Sequence, residues 1–169
     1  MITKLSGRAF IFGKNIDTDQ IYPGRFVELT EAQDIARHAM EGADPGFVDE
    51  FNHGDVIVAS TNFGCGSSRE HAVITLKSCG VGVILAESFG RIFYRNAINL
   101  GLPVLVCPEI STRVKKGDKL EIDLESGRVS NLTNGDVLSG QPLSGFPLEI
   151  LSHGGIKPMM SQKMANSLP

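Results

Sequence analysis

The chain has 169 residues, with 16 basic against 19 acidic side chains and a formal net charge of −3. Hydrophobic residues make up 41% and charged residues 21%, which excludes a disordered chain, and the slightly acidic balance without a basic stripe excludes a nucleic-acid footprint. The longest apolar runs fall far short of the roughly 20 residues that cross a bilayer, so a single globular domain over 1–169 is expected, burying about 70% of its unfolded surface.

In chain order, Arg8–Phe12 reads as a strand, followed by a polar, turn-forming segment from Gly13 to Gln20 and a turn at Ile21–Gly24. Glu31–Met40 reads as a helix, with Ile35, Ala36, Ala39 and Met40 on one face, Thr30 as N-cap and Gly42 as its end. Residues 43–54 read as a loop or short helix broken by Pro45 and Gly46.

The middle of the chain alternates strand and helix. Strands are expected at Asp55–Ala59, Val83–Ala86 and Pro103–Val106, with helices at about Ser68–Ser78 and Gly90–Leu100 between them. Continuous apolar strands separated by helices specify a parallel sheet covered on both faces, with right-handed crossovers. Beyond Pro108 the period changes. Leu120–Leu124 alternates as a half-buried strand that Arg128–Leu132 can pair with, Asn134-Gly135 marks a tight turn, and Phe146–Leu151 reads as a helix ending at Gly154-Gly155. The segment from Ser161 to the end is expected to be poorly ordered.

The densest group of reactive side chains is Asn62-Phe63-Gly64-Cys65-Gly66-Ser67-Ser68-Arg69-Glu70-His71-Ala72. It follows a parallel strand, where open α/β sheets bind ligands. Its glycines allow close backbone approach, the following helix points free N–H groups at the same spot, and Arg69 offers a fork for a carboxylate or phosphate. A plainer reading is open beside it: Ser67-x-x-Glu70 matches a capping box. The Gly-x-Gly lacks the third glycine of a dinucleotide site and the Gly-Lys-Ser/Thr of a phosphate loop.

Asp17-Thr18-Asp19 can bind a metal, hold an arginine or cap turns, and Arg25 nearby offers a second cation. Arg91, Arg95 and Asn96 can face a site or another chain, although a surface salt bridge is the ordinary use of either arginine. Cys65, Cys79 and Cys107, an odd number without a Cys-x-x-Cys pair, read as reduced thiols of a cytoplasmic protein rather than as cluster ligands. Cys65 alone lies where a helix N-terminus favours a thiolate. From these residues alone, an enzyme subunit, a stand-alone anion-binding or regulatory module, and thiol chemistry at Cys65 are all open.

Three blocks carry a resemblance. NFGCGSSREHA at Asn62–Ala72, GKNIDTDQIYPG at Gly13–Gly24 and SFGRIFYRNAINLGL at Ser88–Leu102 resemble, in order, the motifs of the swivelling domain of the aconitase superfamily. Within it the chain is most similar to the free-standing small subunits of 3-isopropylmalate dehydratases, over essentially its whole length. The resemblance implies a three-layer β/β/α fold with a parallel central sheet and an additional antiparallel sheet. It also implies a heteromeric hydro-lyase of leucine biosynthesis, with a [4Fe–4S] cluster on a separate large subunit and no cofactor on this chain. In that scheme Ser67 is the catalytic base, acting as an alkoxide, while the partner's iron activates the departing hydroxyl. Gly66, Ser68, Arg69 and Asp19 take substrate-binding positions. The segment Arg25, Phe26, Val27, Glu28, Leu29 and Thr30 takes the place of the specificity loop. There Glu28 would repel a third carboxylate, while Val27 and Leu29 suit an alkyl group. Isopropylmalate is thereby favoured over homocitrate or citrate, with dimethylmalate, methylmalate and homoaconitate left as alternatives.

Overall fold

The structure, a computed structural model, describes residues 3–168. Seven strands run in the order β4-β3-β2-β1-β5-β6-β7. The parallel part comprises β2 (Val56–Ala59), β3 (Val83–Ala86) and β4 (Val104–Val106), and the antiparallel part comprises β5 (Lys119–Asp123), β6 (Arg128–Asn131) and β7 (Val137–Ser139). The strand β1 (Lys4–Ile11) joins them by changing partner halfway along. Lys4–Arg8 pairs antiparallel with β5, and Ala9–Ile11 pairs parallel with β2. Gly7 lies just before the change, where a Cβ would come within 2.4 Å of the Gly54 carbonyl oxygen. A side chain there would push the two halves apart.

Strand alternation creates the layers. Ile57, Ala59, Ile84, Ala86 and Val104 face the helices and pack with Val73, Leu76, Phe93, Ala97 and Ile150. Val56, Val58, Val83, Leu85 and Leu105 point the other way, against Leu120, Ile122, Val129 and Leu138 of the antiparallel part. Each parallel strand is therefore apolar on both faces, whereas β5 is buried only at alternate positions. The result is the expected β/β/α sandwich. Its open edge is partly closed where the chain leaving β7 returns to β4, with Gln141 N–H donating to the Val106 carbonyl at 2.8 Å.

The helices covering the parallel sheet are α4 (Glu70–Ser78), α5 (Arg91–Leu100), α7 (Gly145–Ser152) and α8 (Ile156–Asn166). Shorter helical segments are α1 (Thr18–Ile21), α2 (Ala32–Ala36), α3 (Phe47–Glu50) and α6 (Ile110–Arg113). None is long and apolar enough to cross a membrane.

Three local expectations are corrected. The helix expected over Glu31–Met40 is regular only over Ala32–Ala36, and its N-cap is Glu31 rather than Thr30, without a side-chain cap. Beyond it the chain is drawn onto α1, with Met40 N–H donating to the Ile21 carbonyl and Gly42 N–H to that of Gln20. The segment from Ser161, expected to be poorly ordered, continues α8 as far as Asn166. Met159 is buried beneath it and Lys163 pairs with Glu149 at 2.9 Å, so tertiary anchors hold a helix that no strong capping signal announces. Finally, β7 and α6 form where no element was expected; both are short and are held by the sheet.

Candidate active-site rim

The turns following β1, β2 and β3 meet at the carboxyl end of the parallel sheet. The turn after β2 is laced to both neighbours. On one side Asn15 N–H donates to the Thr61 carbonyl, Gly64 N–H to that of Ile16 at 2.7 Å, and Thr18 N–H to that of Cys65 at 2.9 Å. On the other, Phe63 N–H donates to the Ser88 carbonyl and Gly90 N–H to that of Phe63. Gly64 is at φ +82°, and a Cβ there would lie 2.2 Å from Phe93 Cγ. Only glycine lets this turn rest on the Phe63–Phe93 pair, whose rings meet edge to face at 5.4 Å.

That bracing presents Cys65, Gly66, Ser67 and Ser68 at the rim. Gly66, Ser67 and Ser68 are exposed, and among the described residues their backbone N–H groups have no acceptor. Ser67 Oγ lies 3.3 Å from Thr18 Oγ1, a hydroxyl buried beneath the turn. Ser68 makes no side-chain hydrogen bond to any described residue. Helix α4 starts at Glu70 with Arg69 as its N-cap and no side-chain cap, so the capping box read at Ser67-x-x-Glu70 does not form. A capping box does form at α1, where Asp17 accepts from Gln20 N–H at 2.8 Å and the Gln20 side chain accepts from Asp17 N–H at 3.0 Å. The Ser67 hydroxyl is thus not consumed by its own helix.

The two acids of the early segment have separate uses. Asp17 caps α1. Asp19 accepts from Gly24 N–H at 2.9 Å and from Arg69 Nη1 at 3.3 Å. The Gly24 amide first, and the Arg69 guanidinium second, hold its carboxyl below the usual carboxylate range. Asp19 is the one acceptor of Arg69 among the described residues, which leaves further donors of the fork for a ligand. Gly24 lies against that fork: a Cβ there would sit 3.1 Å from Arg69 Nη1.

The expected specificity segment therefore starts beside Arg69. Its first turn, Gly24–Phe26, is a single 3-10 turn. Arg25 is tied to Glu41 at 2.9 Å rather than free as a second anion-binding cation. Val27, Glu28 and Thr30 are exposed, Phe26 and Leu29 half-buried.

From the sequence Thr18 is given no role of its own, and Arg91 is named only as able to face a site or another chain. Thr18 sits between two acids that draw attention from it. Arg91 lines an open groove of about 390 Å³ together with Gly64, Cys65, Gly66, Gly90 and Ile92. Among the described residues neither Arg91 nor Arg95 forms an ion pair, so the surface salt bridge expected of them is absent. The spacing of Arg91 behind Phe89-Gly90 was the available signal, since Gly90 packs directly on the Gly64 carbonyl.

The three thiols do not form a ligand set. Cys107 is buried behind β4 and Cys79 ends α4; burial pushes each thiol up to about 11. No group of three or more His, Cys, Asp or Glu among the described residues is arranged to hold a metal ion. These residues do not fit an iron–sulfur cluster.

Residues 50–109 match the model of the aconitase C-terminal domain. The chain is 52% identical over 163 residues to the isopropylmalate/citramalate isomerase small subunit of Methanocaldococcus jannaschii, covering 96% of this chain and 97% of that protein. It is 46% identical over 153 residues to the 2,3-dimethylmalate dehydratase small subunit of Eubacterium barkeri, covering 90% and 94%. The crystal structure of a 3-isopropylmalate dehydratase from Methanocaldococcus jannaschii superposes with a TM-score of 0.92 at 40% identity, covering 96% of each chain. Identity at this level over nearly the full length, on the same fold, means that the chain belongs to the family of 3-isopropylmalate dehydratase small subunits, built around the aconitase C-terminal domain.

Proposed function

We propose that this chain is the small subunit of a heteromeric hydro-lyase that converts 2-isopropylmalate to 3-isopropylmalate by dehydration and rehydration, together with a separate large subunit. The observation that carries the reading is the convergence of Ser67, Arg69 and Asp19 on one exposed rim. In this proposal the [4Fe–4S] cluster belongs to the large subunit, and no step on this chain runs through it.

The chemistry asked of the rim is removal of a proton from the carbon beside the hydroxyl-bearing one, followed by its return. Ser67 takes that proton as an alkoxide. Serine is a weak acid, so its anion needs donors already in place: the buried Thr18 hydroxyl lies at 3.3 Å, and the N–H groups of Gly66–Ser68, which have no acceptor among the described residues, are the further donors the proposal calls on. Arg69, held by Asp19, grips a substrate carboxylate with its remaining donors, and Ser68 adds a hydroxyl to the same carboxylate. Exposed Val27 and half-buried Leu29 face an alkyl group, while Glu28 repels a third carboxylate.

The relatives named for citramalate and for 2,3-dimethylmalate favour a second reading, the same chemistry on a different alkylmalate. Anaerobic mixing with a large subunit and following alkene absorbance on 2-isopropylmalate, citramalate and 2,3-dimethylmalate tests both. Turnover is expected only from the pair and fastest on 2-isopropylmalate. Turnover by the isolated chain would overturn the proposal. So would tight nucleotide binding without turnover by the pair, which would favour a stand-alone anion-binding module.

A further inference from the structure

The segment that begins beside Arg69 is held by a clasp outside itself. Phe26 is in contact with two other side chains. The His38 imidazole stacks on its ring at 3.6 Å between centroids with 13° between planes, and the Arg25 guanidinium lies 4.6 Å from its centroid. Glu41 joins both: one carboxylate oxygen accepts from Arg25 Nη2 at 2.9 Å and the other pairs with His38 Nδ1. The backbone around Glu41 is itself fixed, because Met40 and Gly42 donate to the carbonyls of Ile21 and Gln20. A second stack secures the start of the segment, where Tyr22 lies parallel to His71 of α4 and its hydroxyl donates to the Phe26 carbonyl at 2.7 Å.

We infer that Glu41 is a positioning residue for substrate selection: by joining Arg25 and His38 around Phe26, it holds the segment 24–30 in one placement against Arg69. Glu41 is remote in sequence from this segment and touches no ligand in the proposed scheme. Its carboxylate pairs with Arg25 at 2.9 Å, so that guanidinium is tied to the clasp instead of standing free for a substrate carboxylate. Released, the segment would sample several placements and the alkyl group would lose a defined wall, which weakens discrimination rather than chemistry. The inference rests on the proposed function for its second readout only.

Two measurements separate the steps. In the isolated chain, Glu41→Ala is expected to speed hydrogen exchange of the amides in 24–30 by about tenfold while β2 and β3 stay protected. In the reconstituted pair, the ratio of kcat/KM for 2-isopropylmalate over a shorter 2-alkylmalate is expected to fall by about tenfold, the scale on which sites separate alkyl groups differing by a methylene or two. The fall should come through KM, with kcat retained. Arg25→Met, which removes the other half of the ion pair, should reproduce both effects. Unchanged exchange in both variants overturns the proposal, and so does faster exchange with an unchanged substrate ratio, since a purely structural role would move only melting and exchange. A wild-type pair inert on every alkylmalate overturns the proposed function instead, and the exchange arm still decides the clasp.

Discussion

Thr18 Oγ1 and Ser67 Oγ meet at 3.3 Å although 49 residues separate them in the chain. Thr18 is buried and fixed through its own N–H to the Cys65 carbonyl, so the contact is anchored from beneath. Ser67→Ala should therefore lower kcat of the reconstituted pair by about a thousandfold, the upper-middle range for loss of a general base. Chemical denaturation should shift by only about 1 kcal/mol, because Ser67 is exposed and caps no helix and the loss is confined to its hydrogen bond with the Thr18 hydroxyl. Thr18→Val, of nearly the same shape, should reduce kcat while leaving the KM for substrate near its wild-type value.

Arg69→Lys keeps the charge and loses the fork. One charge-assisted hydrogen bond to a carboxylate is worth about 1.5–3 kcal/mol, so kcat/KM should fall roughly 10- to 100-fold. Steady-state kinetics of the pair measures this. Retained kcat/KM would remove Arg69 from substrate binding.

Asp19 has its carboxyl lowered by the Gly24 amide and then by Arg69. A group with a depressed folded pKa stabilises above the ordinary carboxylate range, and that contribution is lost as pH falls through the lowered value. Asp19→Asn should therefore melt below the wild type at neutral pH, and the two melting curves should converge below about pH 4. The effect is small because Asp19 is exposed. A gap that widens with acid would contradict the ion pair.

Gly64→Ala places a methyl group where Phe93 already is and forces an L-residue to φ +82°. Overpacking and left-handed strain together should cost about 2–4 kcal/mol, read as a lower denaturation midpoint. Activity should fall as well, since the turn that carries Ser67 would be displaced.

Alkylation at neutral pH should label Cys65 first, because Cys79 and Cys107 are raised to about 11 by burial. Cys65→Ser should keep activity in the pair. Loss of activity there would revive thiol chemistry at this turn.

The parallel strands, the helices between them and the antiparallel hairpin of β5 and β6 were legible in the sequence, because each carries its own hydrophobic period and its own glycine stops. The motif that holds Ser67, Ser68 and Arg69 was equally legible, since a glycine turn between strand and helix is a local signal. What the tertiary structure alone decided depends on partners far along the chain. The change of partner within β1 is invisible locally because both halves of the strand are extended, and the difference lies in what approaches them at Gly7. The capping box forms at Asp17 and not at Ser67 because the turn after β2 is pulled onto the early loop, which delays the start of α4 to Glu70. The last helix exists because Met159 and Lys163 find partners in the core and on α7, and nothing in its own sequence supplies them. Thr18 under Ser67, Asp19 beside Arg69 and Glu41 around Phe26 are likewise pairings of side chains on different elements. Periodicity and turn chemistry act over a few residues and so fix elements, whereas the environment of each reactive group is set by long-range packing that brings those elements to one rim.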